Sequence, residues 1–160
     1  MLRVVILVVS SKIASGAEPD KGRDMVEQMV KELPGEIVGY AVAPDDREAI
    51  SHRLRTFCDD LEPDVLLTFG GTGVRPTDWA PEATRDVIEK EIPGIGEAMR
   101  QESLKKVRTA MLSRGTAGIL DGTLIVNLPG SPKGARENLA VLLPILEHTV
   151  AKLQAGARED

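Results

Sequence analysis

An α/β fold with a mostly parallel sheet covered by helices, extended near its C-terminus by an antiparallel hairpin, is predicted by three features of the sequence. The runs Val4 to Val9 and Val65 to Phe69 are almost wholly apolar, as strands buried on both faces are. Segments with apolar residues at helical spacing alternate with such runs, which is the order of a βαβ series. Asp121-Gly122 lies between two further apolar runs, a strong signal for a type I′ hairpin turn.

Taken in order, the first strand ends at the polar pair Ser10-Ser11, and a polar loop follows to Lys21. Met25, Val26, Met29, Val30 and Leu33 then recur at helical spacing until Pro34-Gly35 stops them. Ile37 to Val42 is a second strand. Asp45 is expected to open the next helix, with Ile50, Leu54, Phe57 and Leu61 on one face. The third strand, Val65 to Phe69, runs straight into Gly70-Gly71-Thr72-Gly73. Pro81 to Val107 reads as two helices broken at Pro93-Gly94. Thr116 to Leu120 and Thr123 to Leu128 form the hairpin. Ser131-Pro132 opens the last helix, a serine cap followed by proline at the first helical position, and Leu139, Leu142, Leu143, Leu146 and Val150 give it an apolar face. With 160 residues and no linker-like stretch, a single domain over residues 1–155 with a frayed tail over 156–160 is expected.

Composition narrows the function classes. Hydrophobic residues make up 42 % of the chain but aromatics only 2 %, so the core must be aliphatic. A formal net charge of −5 argues against nucleic acid or an anionic membrane as partner, because those need a basic face. Cys58 is the single cysteine, which rules out an internal disulfide and a cysteine-built zinc site. The first apolar run is too short for a secretory segment, and no stretch reaches the roughly 20 apolar residues of a membrane helix, so a cytoplasmic protein is expected.

Ligands of parallel sheets bind beyond the C-terminal ends of the strands. Four loops fall there, Ser10–Lys21, Pro44–Glu48, Gly70–Glu82 and Pro129–Lys133. In Gly70-Gly71-Thr72-Gly73 the glycines allow close backbone approach to a phosphate and Thr72 adds a hydroxyl; a tight strand exit is the plainer explanation. A dinucleotide fingerprint would need glycine at Pro76, and no Gly-Lys-Ser/Thr run exists for a P-loop. Asp78 either holds Mg²⁺ between the loop and a phosphate or caps the helix near Pro81. Asp45 with Glu48 has capping-box spacing, and a second metal-directed carboxylate is the other reading. Asp20 reads as a cap of the helix after it. Lys12, Lys21, Arg75, Arg114 and Lys133 lie in or near these loops and could neutralise a polyanion. His52 and His148 read as surface or packing residues and Cys58 as buried or at an interface; Trp79 stands either at the mouth of the cleft or in packing, and no nucleophile–base set is present.

Several segments together resemble the MogA/MoaB group of molybdenum-cofactor proteins. They are Thr68 to Gly73 followed by Asp78 and Pro81-Glu82-Ala83-Thr84, then Leu112-Ser113-Arg114, then Leu124 to Lys133, with Ser10-Ser11 and Asp20-Lys21-Gly22 nearer the start. They occur in the right order over nearly the whole chain. The resemblance implies a three-layer α/β sandwich with helices on both faces, assembled as a homotrimer or hexamer. It implies adenylylation of molybdopterin with ATP as co-substrate and Mg²⁺ as cofactor, and other enzymes of the cofactor pathway as further partners. Asp45 and Asp78 match the family's two acidic positions, catalytic and metal-holding. Gly70, Gly71, Thr72 and Gly73 match its substrate loop, and Ser10, Ser11, Ser15, Glu82, Ser113, Arg114, Pro129, Gly130 and Ser131 are carried over as substrate-binding positions. After the first strand this chain has Ser10-Ser11-Lys12 where the family has Ser-Asp-Arg. Two rivals remain, a non-catalytic pterin-binding or scaffold paralogue and a nucleotide pyrophosphatase on the same scaffold.

Overall fold

The computed structural model describes residues 1–159, with side chains through Ala155. Strand β1 (Leu2–Val9) leads through a one-turn helix α1 (Ser11–Ala14) to α2 (Arg23–Lys31) and β2 (Gly35–Ala43). Helix α3 (Arg47–Leu61) and strand β3 (Val65–Phe69) follow, then α4 (Ala80–Arg85), β4 (Lys90–Glu91) and α5 (Pro93–Leu104). A 3₁₀ turn (Arg108–Leu112) precedes β5 (Ala117–Leu120), β6 (Thr123–Leu128) and α6 (Pro132–Glu159). The frayed tail expected over 156–160 lies outside the residues whose side chains are described.

The six strands form one sheet in the order β2-β1-β3-β6-β5-β4. The first four are mutually parallel, and β5 and β4 are added antiparallel. Because side chains alternate across a strand, β1 sends Val4, Ile6 and Val8 into one core with α2, α5 and α6, and Val5, Leu7 and Val9 into a second core with α3 and α4. Burial of both faces is why these strands are continuously apolar. The predicted three-layer sandwich is the observed one. The Asp121-Gly122 turn has positive φ at both residues, 47° and 82°, as a type I′ turn requires.

Three local expectations are corrected. Helix α3 is capped by Asp46, whose carboxylate accepts from the Ala49 N–H at 2.9 Å, so Asp45 is not the cap. Asp20 does not cap α2, whose N-cap is Gly22; its carboxylate accepts the Tyr40 hydroxyl. Pro93 does not break a helix pair but occupies the first turn of α5, where its missing N–H leaves no bond unmade. Between α4 and α5 the chain instead adds the edge strand β4, a charged Lys-Glu pair that no apolar pattern announces.

Candidate active site

Strands β1, β3 and β6 stop in register, Val8 beside Phe69 and Phe69 beside Leu128. The loops leaving them therefore open onto the same edge of the sheet, and between them lies a cavity of about 1090 Å³. That is at the upper end of the 300–1,000 Å³ usual for small-molecule sites, so it has room for more than one ligand. Gly70 to Gly73, Asp45, Asp78, Ser10, Ser11, Ser113 and Pro129 to Ser131 all line it. The sheet thus brings together most of the positions named from the sequence. Ser15, Glu82 and Arg114 do not line it.

Asp45 and Ser11 hold each other. The Asp45 N–H donates to Ser11 Oγ at 2.8 Å, and the Ser11 N–H donates to Asp45 Oδ2 at 3.0 Å. This reciprocal pair links the ends of β1 and β2 and sets the Asp45 carboxylate at the cavity wall. Ser10 caps α1 through the Ile13 N–H. Ser15 bonds only within its own turn, to the Lys12 carbonyl and the Ala17 N–H.

The glycine loop needs its glycines for space as well as conformation. Gly70 has φ +107°, and a Cβ there would lie 2.6 Å from the Val9 carbonyl oxygen. A Cβ at Gly73 would lie 2.9 Å from Asp78 Oδ2, so the carboxylate rests against the bare backbone of that residue. Asp78 caps no helix. The residue at the α4 N-cap is Trp79, and Asp78 Oδ2 instead accepts from the Arg75 N–H at 3.0 Å. Among the described residues, the N–H groups of Thr72, Gly73 and Val74 meet no protein acceptor. Such donors at a cavity wall are what an anion-binding loop presents.

Ser131 accepts from the Gly134 N–H at 3.2 Å and so caps α6, whose N-terminus borders the cavity and points its positive dipole end there. A Cβ at Gly130 would lie 3.2 Å from Gly70 Cα, which places these two loops in contact. Arg114 lies behind the loop: it donates to the carbonyls of Gly73 at 2.7 Å and Asp78 at 3.0 Å, and pairs with Glu82. Burial pushes the Glu82 carboxyl up, but the hydrogen bond to Arg114, a backbone hydrogen bond and the charges of Arg114 and Arg85 together outweigh this and hold it below the usual range.

Of the five basic candidates, Lys12 and Arg75 line the cavity, whereas Lys21, Lys133 and Arg114 do not. Arg100 lines it too and was not foreseen; it donates to the Gly115 carbonyl at 2.7 Å. So do Met25 and Met29 on α2, and Ser103 and Asn138, which are joined by a 2.8 Å hydrogen bond. These residues sit inside helices, where nothing in their spacing separates a cavity wall from a core face. Trp79 does not line the cavity, and His52 and His148 lie exposed on helices α3 and α6. Cys58 is buried on α3, and burial pushes its thiol up to about 11, well away from a reactive thiolate.

No group of three or more metal-ligating side chains occurs among the described residues. Mg²⁺ does not require one, since it is commonly held by one or two carboxylates together with substrate phosphates. Asp45 and Asp78, in one cavity with a loop of unpaired N–H donors, are a donor set that fits this mode.

Residues 5–148 match the family described as "Probable molybdopterin binding domain". The chain is 38 % identical over 152 residues to a molybdopterin adenylyltransferase of Helicobacter pylori, covering 93 % of this chain and 86 % of that protein. It is likewise 38 % identical over 141 residues to the Escherichia coli K12 protein of the same name, covering 86 % of this chain and 72 % of that one. The solved structure of MoaB from Thermus thermophilus, a molybdopterin biosynthesis enzyme, is 43 % identical, superposes with a TM-score of 0.89, and covers 97 % of this chain and 98 % of its own. With a shared fold and a match over nearly the full length, the chain belongs to the MogA/MoaB family of molybdenum-cofactor proteins.

Proposed function

We propose that this protein is a molybdopterin adenylyltransferase of molybdenum-cofactor biosynthesis. It would move AMP from ATP to the terminal phosphate of molybdopterin and release pyrophosphate. The observation that carries this reading is the union, in one cavity, of a loop with free N–H donors at Thr72, Gly73 and Val74 and two carboxylates, Asp45 and Asp78. Two carboxylates beside a phosphate loop are repulsive by themselves, and they make sense when a cation lies between. The names of the Helicobacter and Escherichia relatives support the same reaction.

In this reaction an oxygen of the pterin phosphate attacks the α-phosphorus of ATP, and the bond from that phosphorus to the bridging oxygen of pyrophosphate breaks. A phosphate monoester has its second pKa near about 6 and is largely ionised at neutral pH, so the attacking oxygen needs no general base. This chain provides none among its histidines, which both lie away from the cavity. The protein's task is to bring two anions together and stabilise charge on the leaving group. The loop N–H groups hold phosphate oxygens and the dipole of α6 favours them, while Lys12 and Arg75 offset the added negative charge. Ser11 fixes the Asp45 carboxylate, and Arg75 N–H fixes that of Asp78. Mg²⁺, held by Asp45 and Asp78, would neutralise the phosphates as charge shifts to pyrophosphate.

The test is turnover of molybdopterin with ATP and Mg²⁺, followed as adenylylated pterin and pyrophosphate. Asp78→Asn should lower the rate by at least about 100-fold, on the scale of losing an electrostatic stabiliser, while the melting temperature stays put. Near-normal turnover in that variant would remove Asp78 from the chemistry. A second reading has its own support: the structure at 43 % identity is a MoaB, so a pterin-binding paralogue without transferase activity is the alternative. Pterin binding without product from the folded wild type would select it.

We also propose a homotrimer or hexamer as the assembly, supported by the family resemblance and by the exposed apolar side chains Leu104, Val107, Met111 and Leu112. The cytoplasm is the proposed compartment, on the strength of a single unpaired cysteine. No helix among the described residues is long and apolar enough to cross a membrane.

A further inference from the structure

Arg114 has the residue type of a phosphate ligand, yet each nitrogen of its guanidinium bonds a protein oxygen. Its backbone N–H bonds the Thr72 carbonyl at 2.8 Å, Nε bonds the Gly73 carbonyl at 2.7 Å and Nη2 the Asp78 carbonyl at 3.0 Å, while Nη1 pairs with Glu82. The Ala80 N–H holds a fourth carbonyl of the same loop, that of Gly71, at 3.1 Å. In a trans peptide the C=O of one residue and the N–H of the next point in opposite directions, and the described chain has no cis bond. Holding the carbonyls of Gly71, Thr72 and Gly73 on one side therefore turns the N–H groups of Thr72, Gly73 and Val74 to the other. Those three residues line the cavity and Arg114 does not. Among the described residues, those three N–H groups meet no protein acceptor.

We infer that Arg114 is a positioning residue that builds the anion cradle from behind, with Glu82 fixing its guanidinium, and that it does not itself touch the bound anion. A loop with three glycines in four residues has few side chains of its own to impose this orientation. A planar guanidinium, with several donors in one rigid fork, can hold two carbonyls and a carboxylate at once. Lysine cannot reproduce that geometry. The Glu82 oxygen Oε1 is buried and has no hydrogen-bond partner, so Arg114 is the group that makes burial of this carboxylate tolerable. The inference rests on the adenylyltransferase reading only for what the anion is; the loop geometry it asserts needs no turnover to be measured.

The experiment compares wild type, Arg114→Lys and Glu82→Gln by amide hydrogen exchange and by calorimetric binding of inorganic pyrophosphate. Within the loop, the N–H groups of Arg75, Asp78 and Ala80 are hydrogen-bonded and report its order. Arg114→Lys should speed their exchange at least about tenfold and weaken pyrophosphate binding in step, with amides of β3 and β6 unchanged. Glu82→Gln should move the same amides in the same direction by less. Weakened pyrophosphate binding with normal exchange at those three amides would make Arg114 a direct ligand and overturn the proposal. Faster exchange throughout β3 and β6 in Arg114→Lys would mean general destabilisation, and Glu82→Gln then decides: unchanged loop amides in that variant also overturn it. A protein that follows the expected pattern but transfers no AMP would refute the proposed reaction and leave the role of Arg114 standing.

Discussion

Asp78 rests against a residue that has no side chain. Its Oδ2 would be 2.9 Å from a methyl at position 73, so Gly73→Ala must push the carboxylate aside or distort the loop. The expected outcome is a loss of transferase activity with a melting temperature within about 2 °C of wild type, because a half-buried loop residue without a side chain contributes little to global stability. Unaltered activity in Gly73→Ala would show that the carboxylate can move without consequence. Glu82 bears on pH. Its carboxyl is held below its ordinary value, so its pairing with Arg114 stabilises the fold above the unfolded value of about 4.3 and is lost as pH falls through the lower folded value. Melts of wild type and Glu82→Gln should keep a constant gap from pH 7 to about pH 5 and converge below about pH 4. A gap that is unchanged at pH 3 would contradict the ion pair.

At the scale of elements, adjacent acids have separate duties. Asp46 caps α3 through the Ala49 N–H, whereas Asp45 faces the cavity and is held by Ser11. Asp46→Ala should destabilise the protein by about 1 kcal/mol, the usual effect of losing a cap, with catalysis little affected. Asp45→Ala should do the reverse, sparing α3 and removing activity. Paired denaturation and turnover measurements on the two variants check this, and identical behaviour would mean the assignment is wrong. The spacing from Asp45 to Glu48 suited a capping box, but Asp46 with Ala49 is the pair that forms it in part, one residue later. A one-residue shift in a helix start is beyond what residue spacing can resolve, because both aspartates are good caps.

At the scale of the whole molecule, one buried side chain ties the site's segments together. Asn127 on β6 donates to Thr68 Oγ1 at 3.0 Å and Thr84 Oγ1 at 2.9 Å, and accepts from the Thr116 N–H at 3.1 Å. It thereby joins the strand that enters the glycine loop, the helix that leaves it and the segment after Arg114. Asn127→Ala would leave buried polar groups without partners, at about 2 kcal/mol or more. For a domain of this size that is a fall in melting temperature of about 4–8 °C, and an unchanged melt would show that water or repacking replaces the amide.

The amino-acid sequence by itself determined the sheet and its coverings, since strands buried on both faces and helices with one apolar side leave few alternatives. It also pointed to the loops that meet at the cavity, because Gly70 to Gly73, Asp78 and Pro129 to Ser131 are recognisable as types in an order. Chain folding alone decided how those residues divide their work. Arg114 and Ser113 are neighbours in sequence, yet Ser113 lines the cavity and Arg114 grips the loop from the far side. Asp45 and Asp46 likewise part company, and Arg100 and Asn138 join the cavity from helices that look like any others. The physical reason is direction. Spacing along a chain tells which residues share an element, but the side on which a donor or carboxylate ends is set by contacts between segments 30 to 60 residues apart, such as those from Arg114 to Gly73 and from Asn127 to Thr68.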